Sequence, residues 1–225
     1  MARGDITYRS SARLAHTAVW LFRAVAAVGV LYAAASLWRL GESDPLVASI
    51  ASVPQGLLLS TAAVSLVALL AVAARLCAMV AFVAWLYRVT KNLPALGVSD
   101  PDVTPGWAIG CWFVPIVNII APCIVVLRVW RASDPGATAG RAGGARGWPL
   151  LFAWWGAFMV LTGAGLTVWL ARAEGGLAAG LLTQGQVWAY LCSGIATIVV
   201  ALLAVGVIRE IERRQTEKAQ LQAFT

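Results

Sequence analysis

Two arginines, Arg23 and Arg75, stand inside long apolar stretches. A charge in such surroundings is costly and marks a ligand, ion or proton path by default. No Asp or Glu lies in any of the apolar stretches, so neither arginine has a carboxylate to pair with there. The partners left are backbone carbonyls, Asn118, a lipid phosphate, or an anionic ligand in a wet vestibule. Arg23 lies about 13 Å from the polar N-terminal end of its stretch at 1.5 Å per residue, within reach of a snorkelling stem. Arg75 is deeper, roughly 19 Å along a helix from Arg88. For Arg75 a ligand contact and a packing role both stay open. Arg88 and Asn92 are four apart and share a helical face, placed to hold a neighbouring segment or a lipid headgroup. Lys91, Arg128 and Arg131 extend this into a basic rim suited to anionic lipid. Other chemistry is missing. His16 is the only histidine, and Cys77, Cys111, Cys123 and Cys192 form no CxxC pair. Without a nucleophile–base pair, paired carboxylates or a metal-ligand spacing, the chain reads as a non-enzyme with no cofactor.

The elements that must position these residues follow from composition. Residues are 60% hydrophobic and only 12% charged, with a mean hydropathy of +0.80. A soluble domain is typically about 45–50% apolar and about 25% charged, and half that charge density cannot cover a water-facing surface. An all-α integral membrane protein fits, with the lipid bilayer as its first partner. The net charge of +7 does not indicate nucleic acid, because the bases sit mostly at the ends of apolar runs, where they act as topology signals.

Along the chain, residues 1–13 are a polar segment and residues 209–225 a charged tail. Between them a single membrane domain, 14–208, carries apolar runs at about 14–38, 57–88, 149–171 and 186–208. Each is long enough to cross a core of about 30 Å. Ala33-Ala34-Ala35 resembles a signal-peptidase site, but the length of the first run and Arg23 favour its retention. Gly156 and Gly163, seven apart, are expected to pack against a neighbouring helix. A fifth apolar run, 107–130, differs: Pro115, Asn118 and Pro122 fall within eight residues in its middle and break the helix.

Two topologies compete for that fifth run. With five full spans and a cytoplasmic N-terminus, the cytoplasmic bases are Arg3, Arg9, Arg13, Arg88, Lys91 and Arg172, six against nine outside. With 107–130 as a re-entrant hairpin, thirteen bases are cytoplasmic and only Arg39 and Arg172 are external. The positive-inside rule selects the second: four full spans plus a proline-broken hairpin, both termini cytoplasmic. Aromatic belts mark interfaces, and Trp20, Trp85, Trp107, Trp130 and Trp148 would then fall near the cytoplasmic face, Trp38, Trp169 and Trp188 near the outer one. Trp107, Trp112, Pro115, Pro122 and Trp130 are the residues expected to build the hairpin. Lipid cannot hydrogen-bond irregular backbone, so its turn around Pro115–Asn118 is expected to sit against other helices.

The strings FVAWLYRVTKN (Phe82–Asn92), TPGWAIGCWFVPIVNIIAP (Thr104–Pro122) and LRVWRASDP (Leu127–Pro135) resemble the domain-of-unknown-function family numbered 4328. The matching positions are Trp85, Tyr87, Arg88 and Asn92, then Pro105, Gly106, Trp107, Trp112, Phe113, Pro115 and Asn118, then Trp130, Arg131, Ala132 and Ser133. The resemblance implies a bacterial membrane protein, common in actinobacteria, and carries no activity with it. The family often has an acid before the last tryptophan motif, where this chain has Val129. The expected role is a scaffold, sensor or accessory subunit of the cytoplasmic membrane, with a membrane-protein partner. The alternative is a small transporter or channel for an anionic or amphiphilic ligand, using the hairpin and Arg75.

Overall fold

Alanine, leucine and valine dominate the apolar runs, and in lipid their backbone polar groups must be satisfied within the segment, so helices form. A computed structural model describes residues 8–41, 55–98, 102–136, 147–174 and 184–223. They are all-α, with no strand among the described residues. The helices are α1 (Ala12–Gly41), α2 (Gln55–Asn92), α3 (Pro105–Gly110), α4 (Ala121–Ala132), α5 (Trp148–Glu174) and α6 (Gln184–Ala223). Short 3₁₀ turns occupy Pro94–Leu96 and Val117–Ile119. Four helices, α1, α2, α5 and α6, are long and apolar enough to cross a membrane. The sequence of 133–147 reads as a Gly/Ala linker; its residues 137–146 lie outside the described residues, as do the connections 42–54 and 175–183.

Local sequence explains the element ends. α2 stops at Asn92 because Pro94 lacks an N–H and crowds the preceding turn. Gly97, at φ 77°, then closes the turn by donating its N–H to the Pro94 carbonyl. Thr104 caps α3, its hydroxyl accepting the Trp107 N–H at 3.2 Å, with Pro105 in the first turn. Pro122 likewise sits in the first turn of α4, so it starts that helix and costs it no hydrogen bond.

Residues 107–130 are therefore two short helices joined by turns. α4 has 12 residues, about 18 Å, too short for a span. The chain also reverses: the Arg128 guanidinium donates to the Asp102 carbonyl at 2.8 Å, bringing the two ends of the segment together. This is hairpin geometry, and no single fifth helix runs through it.

The chain divides into two units, and each long helix contributes to both. The first comprises Met1–Leu21, Ala78–Trp155 and Leu203–Thr225. Its apolar centre is aromatic. Phe82 has ring centroids of Trp85, Trp112 and Trp154 at 5.4, 5.7 and 5.6 Å, and Trp155 stands 6.1 Å from Trp112. Such pairs contribute about 0.5–1.5 kcal/mol each beyond their buried area, and these fasten the hairpin through Trp112 to α2 and α5. The second unit comprises Phe22–Cys77 and Gly156–Leu202. It has a core of Tyr32, Ala35, Val64, Val187 and Tyr190 and a close approach of α1 and α6 at Gly29 and Gly194. A Cβ on Gly194 would stand 3.0 Å from the Ala33 nitrogen and 3.1 Å from the Gly29 carbonyl.

Three expectations are corrected. Gly156 and Gly163 face open space, because the α5 face that carries them is exposed, and Gly29 and Gly194 provide the close contact instead. Trp85 and Trp130 are not exposed belt residues: both are fully buried, with their indoles built into the core of the first unit. The hairpin turn is covered only in part: Pro115 and Ile116 are exposed, Ile116 at 84%, whereas Val117 and Asn118 are half-buried. Part of its backbone is paired locally, through the N–H groups of Asn118, Ile119 and Ile120.

Candidate functional site

The polar side chains of the first unit gather where the last part of α6 meets the ends of α2 and α4. Ile208, Ile211, Gln215 and Lys218 are all buried and follow one another at helical spacings of three and four. The buried face of α6 thus runs on past its apolar residues and turns polar. A helix leaves its last four carbonyls without internal partners. Those are what this face reaches. Gln215 Nε2 donates to the Val89 carbonyl in the last turn of α2 at 3.0 Å and to Ser133 Oγ at 3.1 Å. Lys218 Nζ donates to the Ala132 carbonyl, the last of α4, at 2.9 Å. A cation at a helix C-terminus also meets the favourable end of the helix dipole.

Glu212 supplies the acceptor. Its Oε1 takes the Ser11 hydroxyl and the Trp85 indole N–H, each at 2.6 Å. These join the chain before α1, the middle of the first aromatic motif and the end of α6. The Tyr8 hydroxyl lies nearby. Burial and then the Glu212 charge push its pKa up, opposed by a hydrogen bond to Thr216. Asn92 clamps the same N-terminal stretch: its Nδ2 donates to the Arg9 carbonyl at 2.9 Å, and its Oδ1 accepts the Arg9 N–H at 3.4 Å. Arg214 lies 4.6 Å over the Trp130 ring, with Nε on Glu210 at 2.9 Å and Nη1 3.6 Å from Asp134. Gly147, at φ 91°, closes over the other part of Trp130, where a Cβ would stand 2.5 Å from the ring.

The candidate residues fall into distinct places. Asn92 is only 3% exposed and its amide is occupied by the Arg9 backbone, which leaves no atom for a lipid headgroup. Arg88 is half-buried near the end of α2. Arg131 stacks 4.4 Å over the Trp148 ring. Asn118, in the hairpin, has its Oδ1 buried with no hydrogen-bond partner, and so does Trp112 Nε1. Arg75 belongs to the second unit, where its Nη2 donates to Thr197 Oγ1 at 2.5 Å while Nε is buried without a partner. Trp107 and Pro115 are exposed, whereas Trp112, Pro122 and Trp130 are buried. His16 accepts the Trp20 indole N–H at 2.9 Å, and Arg23 is exposed on α1.

Sequence reasoning missed Glu212, Arg214, Gln215 and Lys218. The charged tail reads as a solvated extension because hydropathy cannot show which face of a polar helix is buried. The available signal is the three–four spacing that continues from Ile208 and Ile211. Chemically the arrangement binds backbone. Among the described residues no group of three or more His, Cys, Asp or Glu comes together.

Three motif tryptophans and amides (Trp85, Asn92, Trp130) and Ser133 thus meet in one polar core. The family model described as Domain of unknown function (DUF4328) matches residues 49–213, a range that holds all the motifs and Ile208, Ile211 and Glu212 of α6 but stops before Arg214, Gln215 and Lys218. No curated protein and no solved structure matches the chain.

Proposed function

The chain belongs to the DUF4328 family, and from that premise we propose that it acts as a non-enzymatic membrane module, a scaffold, sensor or accessory subunit. Four apolar helices make it a multi-pass membrane protein. In this reading it resides in the bacterial cytoplasmic membrane with both termini in the cytoplasm, touching anionic lipid headgroups and a membrane-protein partner. One observation carries it: two motif side chains are committed to structural contacts, Asn92 on the Arg9 backbone and Trp85 on Glu212, which also takes the Ser11 hydroxyl. Side chains used in this way hold a shape and leave no acid–base pair for substrate.

The test starts from native membranes in mild detergent. The expected result is a complex of defined mass containing a second membrane protein in fixed ratio. A lone monomer that conducts ions or moves solute in a reconstituted bilayer overturns the proposal. Orientation is tested separately, with Gly140→Cys in a background lacking the native cysteines. Labelling by an impermeant thiol reagent only after lysis supports cytoplasmic termini, and labelling of intact cells refutes them.

The transporter reading draws its support from Arg75, whose buried Nε has no partner. A cation so placed has bonding capacity left for an anion. Arg75→Leu and Asn118→Ala would then each abolish uptake of that anion, and unchanged uptake would remove the reading.

A further inference from the structure

The hairpin presents a cluster of exposed apolar side chains at its tip. Phe113, Val114, Ile116, Ile119 and Ile120 are all exposed, and Pro115 among them is exposed too. Water is a poor neighbour for such a cluster, since monomeric soluble surfaces rarely expose contiguous apolar patches of this kind. Irregular backbone usually excludes lipid as the neighbour, because its N–H and C=O groups would be left unpaired. This turn lowers that cost within itself. The N–H groups of Trp112, Phe113, Asn118, Ile119 and Ile120 bond carbonyls three or four residues back, at 2.8–3.4 Å. Pro115 and Pro122 have no N–H to satisfy.

The rest of the hairpin has the polarity of a lipid leaflet. At its base Arg128 is tied to the Asp102 carbonyl, and Arg131 lies on the Trp148 ring. Cations and tryptophans suit the headgroup level, and a tip whose exposed side chains are all apolar, with its one polar side chain, Asn118, half-buried, suits acyl chains. Length agrees: α4 rises about 18 Å, against roughly 15 Å for one half of a 30 Å hydrocarbon core.

We propose that the tip Phe113–Ile120 is a lipid-facing wedge, seated among the acyl chains of one leaflet, with Arg128 and Arg131 at the phosphates. The occupant is lipid; a second copy of the chain and bulk water are the outcomes that exclude it. The proposal stands on the four membrane-crossing helices and is independent of the scaffold reading.

The test is a spin label at Ile116→Cys in the full chain, reconstituted in vesicles of phosphatidylcholine and phosphatidylglycerol. The exposed Cys77 and Cys192 are replaced by alanine, and the buried Cys111 and Cys123 stay in place. The expected result is frequent collision with oxygen and little with a water-soluble nickel chelate, reversed for a label at Glu217→Cys. A label open to the nickel chelate places the tip in water and overturns the proposal. A label shielded from both reagents means that protein covers the tip, and overturns it equally. Phe113→Cys gives a second reading should the first variant fail to elute as a single species. Failure here leaves the detergent-complex result untouched, so the two proposals fall separately.

Discussion

The two units of this chain are held together by different physics. The first is directional: indoles at defined angles, a carboxylate taking two hydrogen bonds, amides and a lysine on helix-end carbonyls. The second is mostly a matter of shape, with Gly29, Ala33 and Gly194 letting α1 and α6 approach and a small cluster around Tyr32 and Tyr190. In lipid, apolar side chains gain little by leaving one apolar medium for another, so close backbone contact must serve where polar partners are few. The three strings Phe82–Asn92, Thr104–Pro122 and Leu127–Pro135 all fall in the first unit, the one built on directional contacts.

That contrast can be broken at four points. Trp130→Ala should have the largest effect. It removes a fully buried indole that Arg214 and Gly147 enclose, at about 3–5 kcal/mol, seen as a large drop in melting temperature in detergent. Gln215→Leu comes next. It leaves the Val89 carbonyl and Ser133 hydroxyl without their shared donor, at about 1–3 kcal/mol, and hydrogen exchange at the end of α2 should rise. In the second unit, Gly194→Val is expected to cost about 1–3 kcal/mol by overpacking against Ala33, with no change in exchange at α2's end. Gly156→Ala should be smallest, a gain of about 0.5–1 kcal/mol at most, because its Cβ meets open space in a helix interior. A loss of several degrees there would mean that the α5 face is covered.

How far the sequence carries the structure also differs between the units. Hydropathy and length fix the four long helices, and basic-residue bias with two prolines fixes the hairpin, whose ends the Arg128–Asp102 bond joins. Burial within the bundle is another matter. In a soluble helix an apolar stripe marks the inside, but here every face is apolar, so Gly156 and Gly29 look alike although only Gly29 is in contact. Tryptophan misleads for the same reason: its amphipathic ring suits an interface, yet the buried Trp85 and Trp130 rings found partners in Glu212 and Arg214. Those partners come from the tail, whose charges conceal a buried face. The hairpin turn was expected against other helices because irregular backbone needs partners, yet Pro115 and Ile116 are exposed and the turn's own bonds supply partners for part of that backbone.

The Glu212 contacts set an order on biogenesis. Trp85 must wait 127 residues of synthesis for its acceptor, and Ser11 waits 201. At about 5–20 residues per second the indole N–H stays unmatched for on the order of ten seconds, while α2, the hairpin and α5 are already entering the membrane. A nascent chain can therefore have all four spans inserted and still lack a finished first unit. A chain stopped just before Glu212 would retain every hydrophobic segment that the membrane-insertion machinery reads, and would be left as a substrate for quality control.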